Sequence, residues 1–547
     1  MTFKEQRKEK ALKKITRLAA AALLPMLLLT ACGEEDDGSG GSVYTVIKDN
    51  PANLDPQMAQ DSSSLSIIKN IFEGLIELDE NGAYRCAAAE SYTISEDGLT
   101  YTFKLRKGIK WSSPTGFSDE LTAEDFVYSF RRLFAPATLS PYTESFMFIK
   151  NAEKVYDGIL SATDLGVKAE DEYTLTFKLE YPVSDFLYLL TTPPAMPCNE
   201  EFFLSTEGRY GLDERFCVCN GAFMLSEWNY DPYWNENFLT MKRISDNSTS
   251  ERMTYPKTVN YIITDNKEEY ENDSGNDIDC NFYSPSELPK LRNVDYTEYP
   301  CASVGITFNP DKEELMNPSI RYALAAAADI DVYEGETSLG IKSAYGIFPS
   351  SVMIMGKSAR ELISESSKPV FPETEALKAW ERGISEIDPT QIEIVSIMVS
   401  EKFADAPIVY MITDSWSDVL GFDCGVEIVS AGEYSDRLKS GDYEMALTAV
   451  TAENCTASAF LRSFRPYIHD KAEYREIENY IEQAECSTQL SEAVKYYNEA
   501  ENLIISGAYY IPMFYESRFL VYEENTEDYV YDPFNDSVSF KNVKKYE

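Results

Sequence analysis

Histidine is all but absent from this chain: 547 residues contain one, His469, in the polar stretch RPYIHDKAEY. A two-histidine zinc site is therefore excluded, and any Ser-His-Asp triad would have to use that one ring in a loop-like setting. Positive charge is scarce as well. Lys and Arg number 49 against 92 Asp and Glu, a formal net charge of -43, so phosphate backbones and anionic headgroups are repelled and nucleic-acid binding is disfavoured. Beyond residue 32 no apolar run reaches the roughly 18 residues of a membrane-spanning helix. Missing too are a G-x-S-x-G elbow, a Gly-rich phosphate loop and a metal-ligand spacing. A secreted hydrolase would then have only chance pairs of carboxylates to work with.

What is present begins with an export signal. MTFKEQRKEKALKKITR is basic, LAAAALLPMLLLTA is apolar, and small residues precede Cys32. Leu29-Thr30-Ala31-Cys32 resembles the bacterial lipobox. That resemblance implies cleavage after residue 31 and a diacylglyceryl thioether on Cys32, which anchors the protein on the outer face of the cytoplasmic membrane. Residues 32–42, with GEEDDGSGGS at their centre, form a polar flexible tether. Ten cysteines less Cys32 leave an odd number outside the cytoplasm, so at least one thiol is expected to be free or paired between chains. Cys217 and Cys219 make the one close pair, and scattered buried thiols are favoured over a metal site.

With 44% hydrophobic and 13% aromatic residues the chain can pack two or three domains. VYTVIKDN alternates like a strand, and SLSIIKNIFEGLIEL spaces Ile67, Ile68, Ile71, Phe72 and Leu75 as a helix does. TYTFKLRKGIKW and YTLTFKLEYPV read as half-buried antiparallel strands. Between them, LTAEDFVYSFRRLF begins with a capping-box pair, Thr122 and Asp125, and turns Phe126, Phe130 and Leu133 to one face. NPSIRYALAAAAD starts a helix at Asn317 and Pro318. KTVNYIIT is the clear strand of a polar middle region. Further on, QIEIVSIMV and CGVEIVS read as strands covered on both faces, flanking a helix in APIVYMITDSWSDVL. No flexible linker separates these parts, so crossings between them should be short.

One stretch poses a chemical question. MALTAVTAENCTASAFL, residues 445–461, is a run of small and apolar side chains with a single charge, Glu453. A carboxylate buried in such a setting requires a cation or several hydrogen bonds. It could cap a helix starting at Cys455, pair with a lysine, or meet a ligand.

The order of seven strings carries a resemblance. NIFEGLIELDENG, EDGLTYTFKLRKGIKWS, LTAEDFVYSFRRLFAP, SPYTESF, ATDLGVKAEDEYTLTFKLEYPV, NGAFMLSEW and NPSIRYALAAAAD follow one another as in family 5 extracellular solute-binding proteins. From Tyr44 to Glu547 the chain resembles the oligopeptide-binding receptors of ABC importers. The resemblance implies an α/β, two-lobe periplasmic-binding-protein-like fold (type II, cluster C) with an extra subdomain in its N-terminal half. Lobe I would take residues 43–72, 202–301 and 517–547, the inserted subdomain 73–201, and lobe II 302–516.

It implies a site as well. Peptide backbone would pair with two receptor segments, here Gln60, Asp61 and Ser62, and Ala449, Val450 and Thr451. Glu453 takes the place of an aspartate that binds the peptide's free α-amino group. Tyr142 is the tyrosine of the SPY motif, and Tyr283 and Tyr515 would add aromatic packing. Two residues depart from the pattern, since Val450 replaces a tryptophan and Leu447 an arginine. The expected function is a monomeric, lipid-anchored receptor, not an enzyme, without cofactor or metal, that delivers short peptides to a membrane permease. The same fold could instead bind another small solute or act as a surface sensor.

Overall fold

A computed structural model of the chain describes residues 41–233, 237–247, 253–265, 278–283, 288, 294–328, 341–364, 368–369, 371–387, 395–403, 408–468, 470–535 and 537–546. Cys32, the signal segment, residues 32–40 of the tether and His469 lie outside the described residues.

Alternating β-branched and aromatic residues build a mixed sheet of 11 strands. One half runs Phe223–Asn229, Phe238–Arg243, Thr258–Ile263, Ser42–Ile47 and Cys280–Tyr283. The other runs Met445–Val450, Ser396–Ser400 and Gly425–Val429. Between the halves lie two long strands, Val294–Phe308 and Tyr510–Glu523, paired antiparallel from Val294 opposite Glu523 to Thr307 opposite Tyr510. Ile341–Ser343 pairs with the second of them.

The long strands belong to both halves. Phe519–Tyr522 pair with Cys280–Tyr283, whereas Ser303–Phe308 pair with Met445–Val450. The register shifts between Pro300 and Ala302, leaving Cys301 as the extra residue of a bulge at the changeover, and shifts again between Val304 and Gly305. A bulge bends and twists its strand. The expectation of short crossings is corrected here: strands of 15 and 14 residues make the crossing. Pro300, Gly305 and Pro512 interrupt the strand pattern in the sequence, and they sit at or beside the two register shifts, where the ladder is already broken.

Buried side chains divide at the same place. One cluster holds Val43, Ile67, Phe126, Phe177, Met241 and Leu520. Two others hold Val304, Ile397, Trp416 and Phe514, and Val450, Phe460, Tyr497 and Tyr510. Each side chain of this size contributes about 1.5–3 kcal/mol on burial, so the halves are separately cored lobes of a two-lobe α/β fold.

The first lobe's cluster continues into a four-stranded antiparallel sheet in the order Ala89–Ile94, Thr100–Leu105, Thr174–Lys178, Val167–Asp171. The helix Ala123–Leu133 packs on it, started by the Thr122–Asp125 capping box. Phe126, Phe130 and Leu133 are buried as their spacing predicts, and the Phe130 ring meets those of Phe146 and Phe177 edge-on at 5.4 and 5.1 Å. Pro318–Ala326 is a helix with Asn317 as its N-cap. Ser62–Ile71 ends earlier than its periodicity suggests, with extended backbone at Phe72, and Leu75 is buried beyond the helix. Ser396–Ser400 is buried on both faces, but Gly425–Val429 is the edge strand of the sheet, with Ile428 45% exposed. Its apolar run led sequence reasoning to the wrong degree of cover.

Candidate functional site

The strand Met445–Val450 is paired along its length on one side, from Phe308 opposite Met445 to Ser303 opposite Val450. On the other side Ser396–Ser400 reaches it only at Met445 and Ala446. From Leu447 onward that second edge carries no strand among the described residues. The Tyr434 hydroxyl donates to the Leu447 carbonyl at 2.9 Å. Past it the backbone of Ala449 to Thr451 can accept an added extended chain. Side chains alternate here: Ala449, Thr451 and Glu453 are exposed, while Val450 and Ala452 are buried.

Where the neighbouring strand stops, a cavity of about 350 Å3 opens over the changeover between the lobes. Ala449 and Thr451 line one side, Cys301, Ala302, Glu516 and Ser517 come from the two long strands, and Phe282, Tyr283, Lys402 and Arg518 complete the lining. Lys402 Nζ meets the Glu516 carboxylate at 2.6 Å. The Lys402 side chain is half exposed, so the pair is partly screened.

Glu453 follows Thr451 by two residues. Thr456, not Glu453, caps the following helix: its side chain accepts from the Ala459 amide at 3.3 Å, and the helix Ala457–Arg462 begins after it. Asn454 in turn accepts from the Thr456 amide at 2.9 Å. Among the described residues Glu453 has no ion pair and no side-chain hydrogen bond. Both internal roles open to it in the sequence are thus filled by others or unused.

The first expected segment is organised by its own neighbours. Asp61 caps the helix Ser62–Ile71, accepting from the Ser64 amide at 2.8 Å, while Gln60 and Ser62 are exposed. Tyr142 donates its hydroxyl to the Ala59 carbonyl. Burial, with the nearby Asp61 carboxylate, raises the Tyr142 phenol above its ordinary range. One step back, Arg132 Nη2 meets Asp55 Oδ2 at 2.5 Å, Arg132 Nη1 donates to Gln57 Oε1 at 2.6 Å, and Ser140 Oγ donates to the Gln57 carbonyl at 2.7 Å. The loop 55–61 is therefore pinned at every second residue, Asp55, Gln57, Ala59 and Asp61. No hydrogen bond or ion pair among the described residues joins it to Ala449–Thr451.

Residues 83–470 match the family described as bacterial extracellular solute-binding proteins, family 5 Middle, which is more than half of the chain. The chain belongs to that family. Such proteins bind substrates for transport and are not enzymes. A dipeptide-binding protein of Lactococcus lactis subsp. cremoris is 25% identical over 526 residues, covering 92% of this chain and 94% of the relative. A probable deoxycholate-binding periplasmic protein of Escherichia coli, YgiS, is 27% identical over 504 residues, covering 88% and 90%. The crystal structure of Haemophilus influenzae OppA in complex with RPPGFSPFR shares the fold with a TM-score of 0.62 at 22% identity, covering 93% of this chain and 99% of that one.

In this family 5 protein the sequence-predicted residues fall into three groups. Ala449, Thr451 and Tyr283 line one cavity, and Glu453 follows Thr451 by two residues without lining it. Asp61, with Gln60 and Ser62 on either side of it in the chain, lies near Tyr142, which bonds the Ala59 carbonyl. Tyr515 stands apart: it is 5% exposed, donates its hydroxyl to the Gly346 carbonyl at 2.9 Å, and lies 3.4 Å from Arg360 Nη1. Burial pushes its phenol up to about 12. Its neighbour Glu516 faces the cavity instead. Val450 and Leu447, the replacements for tryptophan and arginine, point into core clusters. Sequence reasoning missed Lys402, Glu516 and Arg518. Among the described residues no group of three or more His, Cys, Asp or Glu side chains could hold a metal ion, and no helix is long and apolar enough to cross a membrane.

Proposed function

We propose that this protein is the substrate-binding lipoprotein of an ABC transporter and that it captures short peptides. An extended peptide adds to the free edge of Ala449, Val450 and Thr451, and the Glu453 carboxylate binds its α-amino group. Gln60, Asp61, Ser62 and Tyr142 supply the facing wall when the lobes come together about Cys301. The lobes would be residues 43–72, 202–301 and 517–547, and residues 302–516, with the insert at 73–201. A diacylglyceryl group on Cys32 would hold the monomer at the membrane, where a permease takes the ligand. The observation that carries the reading is the unpaired strand edge ending in an exposed, unpartnered carboxylate. The names of a dipeptide-binding relative and of a peptide-bound structural neighbour support it.

Calorimetry with a tri- to pentapeptide series tests it. Glu453→Gln should weaken binding by at least tenfold, about 1.4 kcal/mol, and N-acetylated peptides should bind the parent protein as weakly. Equal affinity in either comparison rules out the amino anchor. The 27% identical deoxycholate-binding relative favours one second reading, a different small solute in the same cavity. Native mass spectrometry separates the two, since a ladder of co-purified masses spaced by amino-acid residues indicates peptide and one defined mass indicates another solute.

A further inference from the structure

Away from the cavity, the insert meets the second lobe along a seam. Ser184 donates its amide hydrogen to the Glu485 carbonyl at 2.6 Å. At Gly98, where φ is +69°, an added Cβ would come within 2.8 Å of the Thr488 side chain. Asp185 lies on this seam, 7% exposed, and accepts a hydrogen bond from Ser458 Oγ at 3.0 Å.

The groups around Asp185 come from several elements. Tyr84 faces it from a hairpin of the insert, Cys455 from the loop after Glu453, Arg462 and Glu485 from two helices of the second lobe, and Tyr497 from a third. None is a cation in contact. Arg462 places its guanidinium on Glu478 at 2.7 Å and on Glu485 at 2.6 Å. The hydroxyls of Ser184, Ser458 and Tyr497 lie together in this buried pocket beside the carboxyl. An ionised carboxylate with one hydrogen bond and no cation in contact is costly in such a place, whereas a neutral carboxyl is less so, and can donate as well as accept.

We propose that Asp185 is a proton-operated latch: its neutral carboxyl holds the insert against the second lobe, and its ionisation loosens the seam. Burial, with Glu485 acting in the same direction, raises the Asp185 carboxyl to about 7 against the weaker opposing pull of Ser458 and Arg462. With the seam parted the group is solvated and titrates near 4, its ordinary value. The closed seam thus binds the proton more tightly than the open one. It is firmest below about pH 4, weakens as pH rises from about 4 to 7, and is flat above that. The seam joins the same two bodies as the crossing strands, so its strength governs how freely the lobes move about Cys301.

Hydrogen–deuterium exchange of the full mature protein, corrected for intrinsic exchange rates, tests the latch in peptides covering 180–190 and 482–490. Protection there should fall about tenfold or more between pH 5 and pH 8, one pKa unit being a factor of ten, while the strand Met445–Val450 holds constant. Asp185→Asn, uncharged and of the same shape, should keep the pH 5 protection at both pH values. Ser458→Ala should lower protection at pH 5. Equal protection of the unaltered protein at the two pH values overturns the proposal, as does an Asp185→Asn protein whose seam still loosens.

Discussion

Arg132 and Asp55 form a buried ion pair at 2.5 Å, with 7% and 10% of their side chains exposed, and the guanidinium also lies 4.1 Å from the centre of the Phe203 ring. The pair links the helix Ala123–Leu133 to the loop that leads to Gln60. Breaking a buried pair from one side leaves the other charge without compensation, at a cost of about 3–5 kcal/mol. Arg132→Ala should lower stability by that order in urea unfolding. Arg132→Met with Asp55→Asn should recover much of the loss, because no charge is then stranded. If the single and double variants are equally unstable, the pair is not what pins the loop.

Gly305 carries a second constraint on the crossing. A Cβ there would stand 2.3 Å from the Ile511 carbonyl oxygen and 2.6 Å from the Tyr510 ring. The two long strands can close at the second register shift only because that Cβ is missing. Gly305→Ala should cost about 1–3 kcal/mol as an overpacking change, and Gly305→Val more. Thermal unfolding followed by calorimetry checks the order. A neutral Gly305→Ala would mean that the strands part there without penalty.

These two sites show what was legible in the sequence. The helix Ala123–Leu133 could be read because its start is local: Thr122 and Asp125 satisfy each other three residues apart. Thr100–Leu105 and Thr174–Lys178 were visible as alternating runs, and they pair directly. The long strands were not, because Pro300, Gly305 and Pro512 contradict a strand until a partner with a matching irregularity is known. At the site, Ala449 and Thr451 were reachable through the family's motif. Lys402 and Glu516 come together only through tertiary pairing of strands far apart in sequence. Tyr515 and Glu516 exchange faces with a slip of a single residue, and nothing local decides which one looks into the cavity.

Stability should fall as pH rises through the mildly acidic range. Burial lifts the Asp125 carboxyl to about 6, against the hydrogen bond it accepts from the Thr122 amide at 2.8 Å. Between about pH 4 and 6 the folded chain retains a proton that the unfolded chain releases, so the unfolding free energy declines with pH. The net charge of -43 acts in the same direction, since ionising more carboxylates increases self-repulsion. Asp125→Asn should flatten the slope by on the order of 2 kcal/mol across that window while leaving the helix start intact. A midpoint of thermal unfolding that rises from pH 4 to 6 contradicts this assignment.

Thiol reactivity gives a chemical readout of both the fold and the N-terminus. None of Cys86, Cys198, Cys217, Cys219, Cys280, Cys301, Cys424, Cys455 and Cys486 is in a disulfide in this structure, and Cys486 alone among them is exposed. Reaction with a maleimide requires the thiolate. Partial burial of Cys486, with the Glu485 and Glu482 carboxylates beside it, holds its thiol above the ordinary range. The native protein should therefore label at one cysteine, slowly at pH 7 and faster as pH rises past 9. Glu482→Gln with Glu485→Gln should speed the reaction at neutral pH. Unfolded in denaturant, a chain lipidated at Cys32 presents nine reactive thiols, because a thioether sulfur does not react, whereas an unprocessed chain presents all 10. Intact mass after labelling counts them, and a tenth label on membrane-extracted protein argues against the anchor.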